Sequence, residues 1–417
     1  MPMSFGTSPD DSPLKKSNFL GLAPFLRRSI NGVDLRPAGQ ELLAGTQSEP
    51  DDANLWMNLS LAMLCMGQRD LGLAIQAKAL ELARIYHLSA SERPAKLRLL
   101  VLMAPGDLAA NTPIDCLLEH SDIDLDLYYV SEDGLFASPI PAHDVLMVGL
   151  SEADENRALL AALSPALAGW PKPIVNLPDN ISSVGREAAS RLLQDVTGLF
   201  LPKTEMVDRA TLQALATGMA DLGEVFPEIC FPVILRPVGS HAGRDLERID
   251  NGEQIAAYLS RVSANDFFIS RFIDYRGQDG LYRKFRVALI AGRPFACHMA
   301  ISSHWMVHYV NAGMYEEEAK RAEEARFMAN FADFTLRHRV ALDAIFRRTG
   351  LHYVCIDCAE TLDGDLLVFE IDHAMVVHAM DPEYLFPYKQ PHMEKVRQAF
   401  REFALGLVAS HEAKAMA

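Results

Sequence analysis

Long apolar runs are missing from this chain of 417 residues. No stretch reaches the length of a membrane span, and the opening segment MPMSFGTSPDDSPLKK lacks the apolar core of a secretory signal, so a cytoplasmic protein with no membrane partner is expected. Cysteine is scarce too. The six cysteines (Cys65, Cys116, Cys230, Cys297, Cys355 and Cys358) have no framework spacing, which predicts reduced thiols rather than a disulfide scaffold. Cys355 and Cys358 form one CxxC, but no second pair completes a zinc site, and residues three apart on a strand face opposite sides, so two core thiols are expected. Basic residues are in the minority, 39 against 55 acidic ones, for a formal charge of -16. That excludes a protein that coats nucleic acid, and a polyanionic ligand would have to be met by a local cluster of cations. A dinucleotide fingerprint is absent: the loop 104–113, APGDLAANTP, has Gly106 alone and reads equally as a plain connection or a substrate loop.

What is present is enough apolar residue, 49%, to fill two to four domains. Residues 1–30 are rich in Ser, Pro, Gly and Asp and read as a mobile arm. Over 53–86, Trp56, Leu59, Met63, Ala74, Ala79 and Leu80 fall at helical spacing around a turn at Gly67. The pattern is that of one tetratricopeptide-like helical hairpin within a helical segment 31–93. A single repeat needs neighbours to bury its faces, so a docking or lid element, open to a protein partner, is preferred to a free-standing peptide receptor. After Pro94, the runs 97–103, 125–130, 144–150 and 174–176 alternate with helical stretches and predict a small open α/β domain over 94–178.

Farther on, a helix over 183–193 carries Arg186, and a strand over 233–235 delivers Arg236 to the loop Gly239, Ser240, His241, Ala242, Gly243. Such a loop either folds its amides and the Ser hydroxyl over phosphates or makes an ordinary turn. The strand 282–290, YRKFRVALI, places Lys284 and Arg286 on one face, as a cationic stripe or as gatekeeping charges on an edge strand. The charged run within 316–348 predicts an exposed helix face.

The chain is organised around 353–378, YVCIDCAETLDGDLLVFEIDHAMVVH, a hairpin turning at Asp363 and Gly364. Alternation puts Glu370 and Asp372 on one face, and a partner strand can set Asp357 beside them. Three carboxylates held together either bind hard cations, magnesium or manganese, or are ordinary solvated acids. His241, His373 and His378 read as structural histidines before they read as acid/base groups.

In their order along the chain, ILRPVGSHAG at 234–243, FISRFI at 268–273, KFRVALIAGRPF at 284–295, GLHYVCID and VFEID resemble the ATP-grasp superfamily, and within it the RimK-like ligases. The resemblance spans about 174–410. It implies a mixed α/β and α+β chain: the helical hairpin, the open pre-ATP-grasp domain, then a first ATP-grasp subdomain over 179–268 and a second, with the metal site, over 269–412. It places Arg186 and Arg236 where the family has phosphate-contacting lysines, Gly239, Ser240, His241 and Gly243 over the phosphates, and Ile269, Ser270, Arg271, Phe272 and Ile273 beside adenine. Arg286 and Asn311 fall on phosphate or acyl-phosphate positions, with Arg286 and Arg236 in catalytic roles. Asp357, Glu370 and Asp372 fall on the ligands of an expected pair of magnesium or manganese ions. Lys284 stands near an acidic position of the family and reverses its charge, and Asp372 replaces a customary asparagine.

The activity so implied is ATP-dependent joining of a carboxylate to an amine on a peptide, protein or amino acid, through an acyl phosphate, by a chain able to form homo-oligomers. A kinase acting on a hydroxyl, or a nucleotide-binding interaction module without ligase activity, are the rival readings. Nucleic acid is not expected as a partner.

Overall fold

The computed structural model describes residues 18–240 and 243–416, and its architecture is mixed α/β, with three sheets and helices packed on them. Contacts divide the chain into two units. Among the described residues no helix is long and apolar enough to cross a membrane.

The first unit holds the chain up to Ser151, Ala161–Val175 and the segment from Ala374 on. Its sheet takes the order β1-β3-β2-β4-β5, with β1 Ile85–Leu88, β2 Leu97–Met103, β3 Ile123–Tyr129, β4 Val145–Val148 and β5 Ile174–Val175; all pairs are parallel except β1 with β3. The run LRLLVLM is buried at every position but Arg98, as a strand covered on both faces requires. Helices Ala53–Cys65 and Arg69–Leu82 form the expected hairpin. Asp52 starts the first by accepting from the amides of Asn54 and Leu55, and Gly67, at φ +75°, makes the turn. The helical reading to Tyr86 is corrected: 85–88 is an edge strand, because its β-branched and aromatic residues pair with β3.

The arm expected over 1–30 is corrected as well. Residues 1–17 lie outside the described residues, but Ala23–Ile30 is a helix with Phe25 fully buried. Its N-terminal amides find an acceptor far along the chain: the buried Asp115 carboxylate takes Leu22 N–H at 2.6 Å and Ala23 N–H at 3.2 Å. Composition alone cannot reveal a cap supplied from that distance. The C-terminal helix Lys389–Met416 was assigned by sequence to the second ATP-grasp subdomain at 269–412, yet it belongs to this first unit. Met393, Val396, Ala399, Phe400 and Ala404 make its buried stripe at helical spacing, and Arg401 grips Asp122 with two bonds of 2.6 and 2.5 Å. At the start of that helix, Lys389 pairs with the buried Asp381 at 2.9 Å. Lys389→Met strands the Asp381 charge, and a stability loss of about 3–5 kcal/mol is expected in urea unfolding. The double change Lys389→Met with Asp381→Leu recovers most of it.

The second unit holds Glu152–Leu160 and Asn176–His373. One antiparallel sheet has the order β7-β10-β8-β9, from β7 Thr204–Asp208, β8 Val233–Pro237, β9 Glu247–Ile249 and β10 Asp266–Arg271. Helices Arg209–Thr217 and Gly252–Arg261 supply Leu212, Ile255 and Tyr258 to a core shared with Leu235, Phe267 and Ile269. The other sheet has the order β12-β11-β13-β14-β6, with β6 Leu199–Phe200, β11 Tyr282–Ile290, β12 Arg293–Ser302, β13 Tyr353–Glu360 and β14 Leu366–Asp372. Only β14 with β6 is parallel. Cys355 and Cys358 are both fully buried on β13. The helical stretch expected within 316–348 is three helices, Glu318–Ala329, Phe331–Arg337 and Arg339–Thr349. Its charged run is not wholly solvated: Glu324 is fully buried and accepts from Met299 N–H at 2.9 Å and Tyr309 Oη–H at 2.8 Å.

Candidate functional site

Strand register builds the centre of the second unit. On β11, β13 and β14, Arg286 stands directly opposite Asp357, and Asp357 directly opposite Glu370. A bulge between Asp357 and Cys358 leaves Phe369 without an opposite residue, so that the acidic row keeps its face while the strands twist past it. Two residues away on the same faces stand Lys284 on β11 and Asp372 on β14. One row of the sheet thus carries a cation and two acids, flanked by a further cation and a further acid.

Asp357 is 2% exposed and is held on both oxygens. Arg286 donates from Nε at 2.8 Å and from its second nitrogen at 3.1 Å, and Lys284 Nζ stands 2.6 Å from Oδ2. Burial works to raise this carboxyl, but the charges of Arg286 and then Lys284 outweigh it and hold it far below the usual carboxylate range. Across the pair, burial works against the Arg286 charge and Asp357 more than restores it, so its pKa is raised. Arg186, the first residue of helix Arg186–Leu192, forms an ion pair with Glu370, whose carboxyl is also lowered: burial opposes, Arg186 prevails, and Arg236 and Lys284 add to it.

Arg236, at the end of β8, is 8% exposed. Its guanidinium donates to the Ser240 carbonyl and, at 3.2 Å, to Ser240 Oγ, and among the described residues no carboxylate lies within ion-pair distance of it. Burial first, and the like charge of Arg186 second, push it down to about 10. A guanidinium so placed is a buried charge in need of an anion.

The glycine loop departs from its expected use. Ser240 does not hold its hydroxyl out to a ligand: Oγ–H donates to the Pro237 carbonyl at 2.9 Å, and the residue serves to fix Arg236. His241 lies outside the described residues. Gly239 and Gly243 both adopt the left-handed region, at φ +73° and +72°, and a Cβ on Gly243 would come within 2.5 Å of His308 Nε2. Gly243→Ala therefore meets both backbone strain and a clash. The expected result is a loop cut faster in limited proteolysis, with the thermal midpoint of the whole chain nearly unchanged.

The segment expected beside adenine, 269–273, runs from strand β10 into the stretch that follows it. Ile269 and Ser270 sit in the middle strand of their sheet, paired with β7 on one side and β8 on the other, so their backbone groups are committed to the ladders. Arg271 pairs only with β8, the Phe272 amide donates to the Pro232 carbonyl at 2.8 Å, and Ile273 follows. The Phe272 ring lies under the Arg248 guanidinium at 4.5 Å.

The three expected metal ligands, Asp357, Glu370 and Asp372, lie on neighbouring strands β13 and β14. Among the described residues no three His, Cys, Asp or Glu side chains are placed to hold one ion. Asp357 spends its oxygens on Lys284 and Arg286, for which sequence alternation gave no warning. Glu370 and Asp372, both hard oxygen donors on one strand face, fit a divalent cation in kind. His373 is fully buried, its Nδ1 3.8 Å from Asp372 Oδ1, and in the first unit His378 Nδ1 accepts from the Met380 amide at 3.1 Å.

Two further residues, His308 and Glu152, join the site without having been singled out by sequence. His308 precedes the short helical turn Tyr309–Asn311: its side chain accepts from the Asn311 amide, while Asn311 Oδ1 accepts from the His308 amide at 3.2 Å. Asn311 is exposed, and its side chain braces the His308 backbone. Glu152 is half-buried against Gly185, and burial together with Asp154 pushes its carboxyl up to about 7, with Asp372 adding and Arg186 opposing. The signal missed at Glu152 was its neighbourhood, since it lies in a segment that reads as the end of the α/β domain.

No family model and no curated protein matches this chain. Among solved structures it is similar to a RimK domain ATP-grasp protein from Sphaerobacter thermophilus DSM 20745, at 17% identity and a TM-score of 0.41 over 74% of this chain and 99% of that one. It is also similar to the D-alanine–D-alanine ligase of Bacillus anthracis complexed with ATP, at 12% identity and a TM-score of 0.44 over 75% of this chain and 99% of that one. VanG D-Ala:D-Ser ligase from Enterococcus faecalis gives the same four values.

Proposed function

We propose that this chain is an ATP-grasp ligase that uses ATP to join a carboxylate to an amine. The observation that carries the reading is Arg236, a buried guanidinium without a carboxylate partner, set beside Arg186 and the ion-paired row of Lys284, Arg286, Asp357 and Glu370. Four cations gathered in an acidic protein make a place for a polyanion, and the phosphates of ATP have the charge to satisfy it.

In the reaction proposed, a carboxylate oxygen of the acceptor attacks the terminal phosphorus of ATP, the bond to the bridging oxygen breaks, and ADP leaves with that electron pair. The amine then attacks the acyl carbon of the acyl phosphate, inorganic phosphate departs, and the amine loses a proton as the amide forms. Arg236 and Arg186 hold the phosphate chain, and Arg286, fixed by Asp357, keeps a positive edge toward the transferred group. Magnesium, when bound, neutralises phosphate oxygens, and Glu370 and Asp372 are the residues that would hold it. Substrate on the acceptor side is an amino acid, a peptide or a protein carboxylate.

Hydroxylamine tests the chemistry. With magnesium-ATP and pooled amino acids or short peptides, ADP release accompanied by a hydroxamate is expected, since hydroxylamine intercepts an acyl phosphate. ADP release with a stable phosphoester and no hydroxamate would instead identify a kinase acting on a hydroxyl. Nucleotide binding without turnover across the pool, together with stable capture of a partner, would identify an interaction module.

A further inference from the structure

His308 carries a buried ring nitrogen that nothing among the described residues satisfies. Its ring has two nitrogens. One accepts from the Asn311 amide in the reciprocal cap of Tyr309–Asn311, and Nε2 is buried without a partner among the described residues. The accepting nitrogen is therefore Nδ1, which puts the proton of the neutral ring on Nε2, as an N–H donor. Burial, then Lys284, lower the basicity of the ring, with Arg286 adding and Asp357 and Glu370 opposing, so the neutral form is the one in place. Such a donor is costly to bury unless an acceptor arrives.

The surroundings select the acceptor. Lys284 and Arg286 act on the ring from β11, and the carboxylates nearest them are already used, Asp357 by both cations and Glu370 by Arg186. An N–H in the field of those two cations takes an anionic oxygen from outside. Gly243 lies against Nε2 and has no side chain to block the approach. We propose that His308 Nε2–H binds an oxygen of the terminal phosphate of the nucleotide, and so distinguishes a nucleoside triphosphate from a diphosphate. This rests on the nucleotide reading above, in which the row of Arg286, Asp357 and Glu370 faces the phosphate that is transferred.

Two substitutions separate the donor from the cap. Asparagine keeps an acceptor near the Nδ1 position and removes the donor, whereas glutamine reaches a donor nitrogen to the place of Nε2. With the full chain and magnesium, binding of the non-hydrolysable triphosphate AMP-PNP and of ADP is measured by calorimetry for wild type, His308→Asn and His308→Gln. Histidine side-chain 15N spectra of the wild type are recorded alongside. The expected result is about a tenfold loss of AMP-PNP affinity in His308→Asn with ADP affinity unchanged, recovery in His308→Gln, and a His308 Nε2–H signal that shifts with AMP-PNP and not with ADP. Equal losses for both nucleotides, or none for either, would overturn the proposal while leaving the nucleotide reading intact. A wild type that binds neither nucleotide would remove that reading and this one with it.

Discussion

Arg236→Met is expected to weaken binding of magnesium-ATP about 100-fold while the thermal midpoint of the nucleotide-free protein stays the same or rises. The two halves have one cause. Among the described residues Arg236 is buried with no carboxylate in ion-pair reach, and another arginine acts on it, so in the empty site it carries a desolvation cost that its bonds to Ser240 and the more distant Glu370 charge offset in part. An apolar side chain of similar length removes that cost. In the occupied site the same guanidinium meets phosphate, and losing one member of a buried charge pair costs about 3 kcal/mol, or about two powers of ten in affinity. Calorimetry and a melting curve on the same sample check both halves. A large fall in the midpoint of the empty protein would mean that Arg236 is there for the fold and not for a ligand.

The second large effect runs the other way. Asp357→Asn leaves the half-buried Lys284 and Arg286 on one sheet face without the Asp357 charge that both contact, and a stability loss of about 3–5 kcal/mol is expected. Adding Lys284→Met to that variant relieves part of the loss, because the remaining repulsion disappears with the ammonium. The pH dependence follows from the same pair. The folded pKa of Asp357 is depressed far below the ordinary value of about 3.9, so its contribution is complete above that value and drains away as pH falls below it toward the folded pKa. Wild-type stability in urea should therefore decline between about pH 4 and pH 2, and Asp357→Asn should decline less steeply over that window. Parallel declines would show that Asp357 is not the group responsible.

The hairpin over Tyr353–Glu360 and Leu366–Asp372 was legible because its information is local: period-two alternation, Asp363 and Gly364 at the turn, and two acids two residues apart. The cationic strand was legible for the same reason. What alternation cannot say is which strand lies next to which. Arg286 and Asp357 are far apart in sequence, and only the sheet order, with β11 beside β13, makes Lys284 and Arg286 the partners of Asp357 instead of free phosphate ligands. Ser240 shows the same limit at shorter range. Its hydroxyl fits a phosphate loop on paper, and the fold turns it back toward Pro237 and Arg236. Charge pattern misled at Glu324, where a run of Glu, Lys and Arg reads as solvated although one member is fully buried to tie Met299 and Tyr309. The helix Ala23–Ile30 was hidden because the carboxylate that caps it comes from Asp115. His308 was passed over because it stands in a stretch without periodicity, and its meaning lies in a proton position set by Asn311.

The claim at the centre of this account is that the cations around Glu370 form a nucleotide site, and the most direct test is equilibrium binding of magnesium-ATP to the purified chain by calorimetry. The account predicts saturable binding at one site per chain that adenosine does not reproduce and that high salt weakens, since the affinity resides in the phosphates. Absence of binding at millimolar ATP, or equal affinity for adenosine and ATP, would contradict it.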